Sequence, residues 1–273
     1  MASAQDSCRL RISLLTVSPG EELYSTFGHS ALRIVDSVSN TDIVYNWGTF
    51  NFDEPGFYSK FMRGKLHYYL SSDEFSSFRD ANKEDHRGMI EQVLNLSCTE
   101  KLKMAALVYK NLQPENKYYK YDFLFDNCTT RIRDLLEKAV DSPVHYSQVV
   151  KQKTRFRQLI HVYLDNNDKQ WGKFGIDLLL GSKTDAIMSE REVMFLPDYL
   201  MICFDSSKIG NKPIVSAKEK IYDIPEPIIT TNFLTTPLFI FSLLLAIIFL
   251  LSFSQNPIVH RILLSFDGLL FFM

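Results

Sequence analysis

The sequence predicts an α+β domain, an antiparallel sheet with packed helices, followed by a transmembrane helix. Three observations carry this. Short β-rich runs broken by turn residues fill the amino-terminal part, stretches with apolar residues at helical spacing follow, and an uncharged apolar run lies near the carboxyl end.

The strands come first. Arg9 to Val17 carries Leu10, Ile12, Leu14, Leu15 and Val17 and stops at Ser18-Pro19-Gly20, a turn signal. Ser30 to Val35 and Asp42 to Trp47 are rich in β-branched, aromatic and aliphatic residues, and the polar segment from Asp36 to Thr41 between them reads as a hairpin connection. His29 therefore falls at the lip of a strand. Lys65 to Leu70 and Met89 to Leu96 supply further strands. Thr99 to Leu112 places Leu102, Ala105, Ala106 and Val108 at helical intervals.

A second helix is expected where Asp126-Asn127-Cys128 leads into Ile132, Leu135, Leu136 and Ala139, with Asp126 or Asn127 available as N-cap. The organisation that follows is a catalytic core over 1–142, a mostly helical extension and linker over 143–226, and a transmembrane helix over 237–253. That last run, PLFIFSLLLAIIFLLSF, has no charged residue and is long enough to span a bilayer. Residues 262–273 read as the start of a second membrane segment, truncated at Met273. At the other end, Ala2-Ser3-Ala4 has the small-residue form that precedes a signal-peptide cleavage point.

Composition narrows the function classes. Among 273 residues, 30 basic and 32 acidic side chains are interspersed, so no basic footprint for nucleic acid exists. Four cysteines, Cys8, Cys98, Cys128 and Cys203, are too widely spaced for a metal knuckle and too few for a disulfide scaffold, so no metal or cofactor is expected. With Cys128 set aside as a working thiol, at most one disulfide can form among the other three; three buried apolar cysteines are the equal alternative. Gly181-Ser182-Lys183 lacks the ending of a phosphate loop, and Asp165-Asn166-Asn167-Asp168 lacks the glycine and distal glutamate of a calcium loop.

Cys128 sits at a first helical turn, where the macrodipole and unpaired N–H groups favour a thiolate and can also receive an oxyanion. Of the six histidines, His29 alone lies at a strand lip between small residues, Gly28 and Ser30, which makes it the candidate base. Strict alternation puts His29 on the side of Arg33, opposite Leu32 and Ile34, so a bulge or irregular strand start is needed to turn it toward the core face. Taken alone, such a cysteine and such a histidine are more often packing residues than a catalytic pair.

Their contexts add weight. Ser18-Pro19-Gly20, Phe27-Gly28-His29-Ser30-Ala31-Leu32-Arg33-Ile34, Tyr45-Asn46-Trp47-Gly48-Thr49-Phe50, Gly64-Lys65-Leu66, Asn95-Leu96-Ser97 and Tyr121-Asp122-Phe123-Leu124-Phe125-Asp126-Asn127-Cys128-Thr129-Thr130-Arg131 occur in one order. In this the chain resembles the Lnb-type lipoprotein N-acyltransferases, closely from Ser18 to Arg133 and more loosely to Asp205. The resemblance implies an amino-terminal domain of permuted papain-like (NlpC/P60-type) fold, with the histidine before the cysteine.

It implies Cys128 as nucleophile, His29 as base, and a third polar residue from the next strand, with Asn46 first and Tyr45 behind it. Gly28, Asn127 and Arg131 are the supporting motif residues. It further implies a phospholipid acyl donor, a lipoprotein amino terminus as acceptor, and a bacterial inner membrane with the domain facing the periplasm. Phe50, Phe52, Phe57 and Phe61 are candidates for an acyl groove, or for ordinary core beneath a loop. The rival readings are a membrane-anchored cell-wall cysteine peptidase or amidase, and a non-catalytic binding module anchored to the membrane.

Overall fold

The computed structural model describes residues 8–51, 53–56, 60, 66–224, 232–258, 261 and 263–265. Its centre is an antiparallel sheet of β1 (Leu10–Val17), β2 (His29–Asp36), β3 (Thr41–Thr49), β4 (His67–Glu74), β5 (Met89–Leu94), β6 (Tyr118–Lys120) and β10 (Val215–Tyr222). The order across the sheet is β10-β5-β1-β2-β3-β4-β6. The sheet is flanked by α1 (Phe75–Glu84), α2 (Cys98–Leu112), α3 (Cys128–Ala139) and α6 (Pro197–Ser206). The α+β class, the antiparallel pairing and the packed helices are as the sequence predicts.

β1 lies mid-sheet and is buried on both faces, so its run is nearly continuously apolar rather than alternating. On one face Ile12, Leu14, Leu32, Ile34, Trp47 and Leu70 meet Met104 and Val108 of α2, Ile132 and Leu136 of α3, and Leu200 and Phe204 of α6. On the other face Leu15, Val17, Ala31, Val44 and Met89 pack against Phe75 and Phe78 of α1. Arg33 faces α1 as well. Its guanidinium holds Asp42 at 2.6 and 2.7 Å and Glu91 at 2.8 Å, and it lies 3.4 Å over the Phe75 ring.

The stretch from Lys208 to Pro227, whose prolines and turn residues suit the linker end of the expected extension, contains β8 (Lys208–Ile209), β9 (Lys212–Pro213) and β10. β8 joins β9 and β7 (Val144–His145) in a small sheet, and β10 closes the main sheet beside β5. An edge strand with mostly exposed side chains carries no apolar alternation, so its sequence resembles a linker. A second cluster, around Phe156, Ile160 and Leu164 of α4 (Phe156–Asn166) with Phe195 and Leu196, sits beside the first. One disulfide links Cys8 to Cys98 with a Cα separation of 5.3 Å, fastening the chain ahead of β1 to the start of α2.

The apolar run near the carboxyl end is helical as α7 (Pro237–Ser252), but its extent corrects the expectation of a transmembrane helix over 237–253. Sixteen residues give about 24 Å at a rise of ~1.5 Å per residue, short of a hydrocarbon core of ~30 Å. Thr236 caps its start, and the polar Ser254-Gln255-Asn256 followed by Pro257 lies beyond its end. Among the described residues no helix is long and apolar enough to cross a membrane. Most of the second apolar stretch, together with Phe52, Phe57, Phe61, Gly64 and Lys65, lies outside the described residues.

Candidate active site

Three strand ends converge at one edge of the sheet. Val17, last in β1, pairs with His29, first in β2, on one side and with Met89, first in β5, on the other. Gly28 makes this approach possible. It has φ +79°, and a Cβ there would lie 2.8 Å from the Val17 carbonyl oxygen, so any side chain collides with backbone.

The β1–β2 register runs unbroken from Leu10↔Asp36 to Val17↔His29. The bulge expected to turn His29 toward the core face is absent from that pairing, and His29 stays on the α1 side with Ala31 and Arg33, 6.4 Å from the Phe78 ring. The irregularity lies in β3 instead, in its pairing with β4 between Asn46 and Thr49. Asn46 falls on the side of His29, and its Oδ1 lies 3.2 Å from His29 Nε2. Asn46 Nδ2 donates to Asp73 Oδ2 at 3.1 Å, which fixes the orientation of the amide. An amide oxygen only accepts, so Nε2 carries the ring proton and Nδ1 the lone pair.

Burial, then the Arg87 charge, hold the His29 imidazole down to about 4, against the opposing pull of Asn46. The ring is therefore neutral at ordinary pH, the state a base requires. Tyr45 faces the other way, against the α2 and α3 core, and is not brought to His29.

α3 begins at Cys128 because Asn127 caps it. Asn127 Oδ1 accepts from the N–H of Thr129 and Thr130 at 2.9 Å each and from Thr129 Oγ1 at 2.6 Å. Its Nδ2 donates to Phe123 O at 2.7 Å and Phe195 O at 2.8 Å, pinning the helix start to the loop before α6. These bonds leave the Cys128 N–H out of the cap, as the helix-end donor beside the sulfur. Arg131 is committed elsewhere: it holds Asp126 through two bonds of 2.6 and 2.8 Å and stacks 3.5 Å over Tyr119.

The Cys128 thiol is buried, and burial raises its pKa; the N–H groups of Ser30, Thr129 and Cys128 and the Arg87 charge oppose this and do not overcome it. Desolvation thus outweighs the helix end, and the resting group is a thiol rather than the expected thiolate. The Ser30 N–H, next in β2 after His29, is turned to the Cys128 sulfur, so the start of β2 meets the start of α3.

Sequence reasoning passes over three participants. Asp73 orients Asn46, Arg87 acts on both Cys128 and His29, and Tyr121, half-buried and within electrostatic reach of Cys128, stacks on Tyr68 at 4.4 Å. Tyr68 in turn meets Phe50 at 5.3 Å, so of the expected acyl-groove residues Phe50 joins the aromatic group of Tyr68 and Tyr121. No motif flagged Asp73 or Arg87, since an acidic strand residue and an arginine before a glycine are ordinary surface patterns; Tyr121 stood in the motif that ends at Arg131 without a role of its own. A separate open groove of about 690 Å³, lined by residues including Tyr146, Val149, Met188 and Val193, contains none of the expected site residues.

A thiol at a capped helix start, with a neutral imidazole oriented by an amide on the neighbouring strand end, is an arrangement suited to acyl transfer through a cysteine. The family model of the Lnb N-terminal periplasmic domain matches residues 3–161, more than half of the chain, and the chain belongs to that family. The matched domain is periplasmic, which makes this a protein of the cell envelope. No curated protein and no solved structure matches it.

Proposed function

We propose that this domain is the catalytic part of a lipoprotein N-acyltransferase, with Cys128 as nucleophile, His29 as base and Asn46 as the orienting third residue. The observation that carries the reading is the fixed tautomer of His29: with Nε2 held by Asn46, the free lone pair is on Nδ1. The order His29 before Cys128, with a cysteine-bearing helix start against an antiparallel sheet, supports a permuted papain-like fold.

In the first half-reaction Sγ bonds to the ester carbonyl carbon of a membrane phospholipid while its proton passes to His29 Nδ1. The Cys128 N–H receives the developing oxyanion. The acyl–oxygen bond then breaks, His29 returns the proton to the departing oxygen, and a lysophospholipid leaves an acyl thioester behind. In the second, the α-amine of a diacylglyceryl-cysteine lipoprotein attacks the thioester, His29 takes the amine proton, the C–S bond breaks, and the proton restores the thiol. The product is an amide, and the scheme uses no cofactor. Because thiol and imidazole both start neutral, proton transfer accompanies attack, a sequence suited to a site that excludes water.

The membrane enters through apolar surface. Trp171, Phe174, Leu178 and Leu179 of α5 (Gln170–Leu180) and Leu238, Phe241 and Leu245 of α7 are exposed, with Phe241 5.3 Å from Phe174 and 5.9 Å from Trp171. Together they form a seat on an inner-membrane surface with the catalytic core on the periplasmic side. The test is mass spectrometry of lipoprotein amino termini from cells that depend on this protein. N-acylated termini are expected with the wild type and free amines with Cys128→Ala or His29→Ala; complete acylation with either variant overturns the reading.

A further inference from the structure

Arg87 is the charge the proposed chemistry leaves unused. It is 8% exposed, at the turn between α1 and β5. Its Nε donates to Ser18 O at 3.0 Å and its Nη1 to Asn82 Oδ1 at 3.1 Å. Its Nη2 is buried and has no hydrogen-bond partner among the described residues.

The position follows from the strand ends. Arg87 lies two residues before Met89, which pairs with Val17, which pairs with His29. Ser18 and Gly88 lock the turn through Ser18 N–H to Gly88 O at 2.9 Å and Gly88 N–H to Ser18 Oγ at 2.8 Å. The side chain is thus held by two bonds with its third nitrogen unclaimed. The groups whose charge acts on it are Asp85, Tyr24, Tyr222 and Cys128, and it acts in turn on His29.

A buried guanidinium normally has a carboxylate partner, as Arg33 has in Asp42 and Glu91. Without one the desolvation of the charge goes uncompensated. Among the described residues Arg87 is hydrogen-bonded only by a carbonyl and an amide oxygen, and the Asp85 charge acts on it without a hydrogen bond or ion pair, so its Nη2 is left without an anionic partner. A ligand group with a full negative charge does so, and the neutral carbonyl of an ester does not.

We propose that Arg87 Nη2 binds the phosphodiester oxyanion of the acyl donor and so brings the donor's ester to Cys128. This rests on the phospholipid-donor reading above. A glycerophospholipid carries its phosphate a few bonds from the ester carbonyls, so one fixed cation near the thiol selects both the lipid class and the presented ester. The acceptor's diacylglyceryl-cysteine has no phosphate, so Arg87 separates the donor half-reaction from the acceptor half-reaction.

The experiment measures single-turnover acylation of Cys128 by intact-protein mass spectrometry in the full chain, in mixed micelles. Phosphatidylglycerol is compared with diacylglycerol bearing the same chains. Arg87→Gln is run beside Arg87→Lys, and both are checked for folding by circular dichroism. The expected result is a wild-type preference for the phospholipid that falls about 10- to 100-fold in Arg87→Gln, the loss of a charged hydrogen bond. The fall appears in the half-saturating phospholipid concentration, with partial recovery in Arg87→Lys. An equal slowing with both donors assigns Arg87 to thiol reactivity and overturns the proposal while leaving the donor reading intact. Inorganic phosphate protecting Cys128 from alkylation as strongly as glycerophosphoglycerol marks a free-phosphate site and also overturns it. A wild type that takes acyl groups from diacylglycerol alone overturns the phospholipid reading itself, and the anchor with it.

Discussion

At Gly28 one missing Cβ decides whether β2 can begin where it does. Gly28→Ala places a methyl against the Val17 carbonyl in a left-handed backbone conformation. A loss of about 1–3 kcal/mol is expected, together with displacement of His29. Chemical denaturation and acylation rate measure the two effects. At His29, a pKa held near 4 predicts an acid limb of kcat/KM near that value, rather than near the ordinary imidazole value of about 6.5. Asn46→Ala removes the partner that raises the pKa, so the limb moves lower still and the rate falls with it. The stability consequence has a definite sign. Between about 4 and 6.5 the unfolded chain binds a proton that the folded chain refuses, so stability falls with decreasing pH through that window, by at most about 3 kcal/mol. Denaturant midpoints from pH 7 to pH 4, with His29→Gln as the flattened control, check it. The places of His29 at the start of β2 and Cys128 at the start of α3 were legible because turn and capping residues mark those boundaries, and the family resemblance, not position, made them site candidates. The resting thiol was not legible, because burial depends on how α3 meets the sheet.

Helix α3 is the element whose start the sequence announces best: Asn127 is a strong capping residue ahead of an apolar stripe at helical spacing, and the cap forms as that pattern implies. β10 is the opposite case, since its eight residues, VSAKEKIY, are mostly exposed and join the sheet only by pairing with β5. The Cys8–Cys98 bond lies between these extremes. Sequence left its pairing open because bond formation needs Cα atoms a few ångströms apart, which only the fold supplies. Closing a loop across 90 residues of separation, it is expected to contribute about 2–5 kcal/mol, so Cys8→Ser should lower the denaturant midpoint correspondingly. A variant as stable as the wild type would show that the bond is dispensable. For α7, hydropathy gave the helix, and the turn signals beyond Ser252 set its length.

At the scale of the whole molecule, the antiparallel sheet, α3 and the loop before α6 act together. The sheet gathers the ends of β1, β2 and β5, which places Gly28, His29 and Arg87 at the same end of neighbouring strands. The Phe195 carbonyl, accepting from Asn127 Nδ2 at 2.8 Å, ties the Cys128 helix start to a segment distant in sequence. Such long-range closure explains why Asp73 and Arg87 could not be read from spacing, whereas the places of the cysteine and histidine could. The most direct test of the central claim is to incubate the purified chain with phospholipid and measure the mass of the Cys128 peptide before and after neutral hydroxylamine. An acyl adduct on Cys128, released by hydroxylamine and missing in His29→Ala, is the expected result. A Cys128 that stays unmodified while lipoprotein N-acylation proceeds would contradict it.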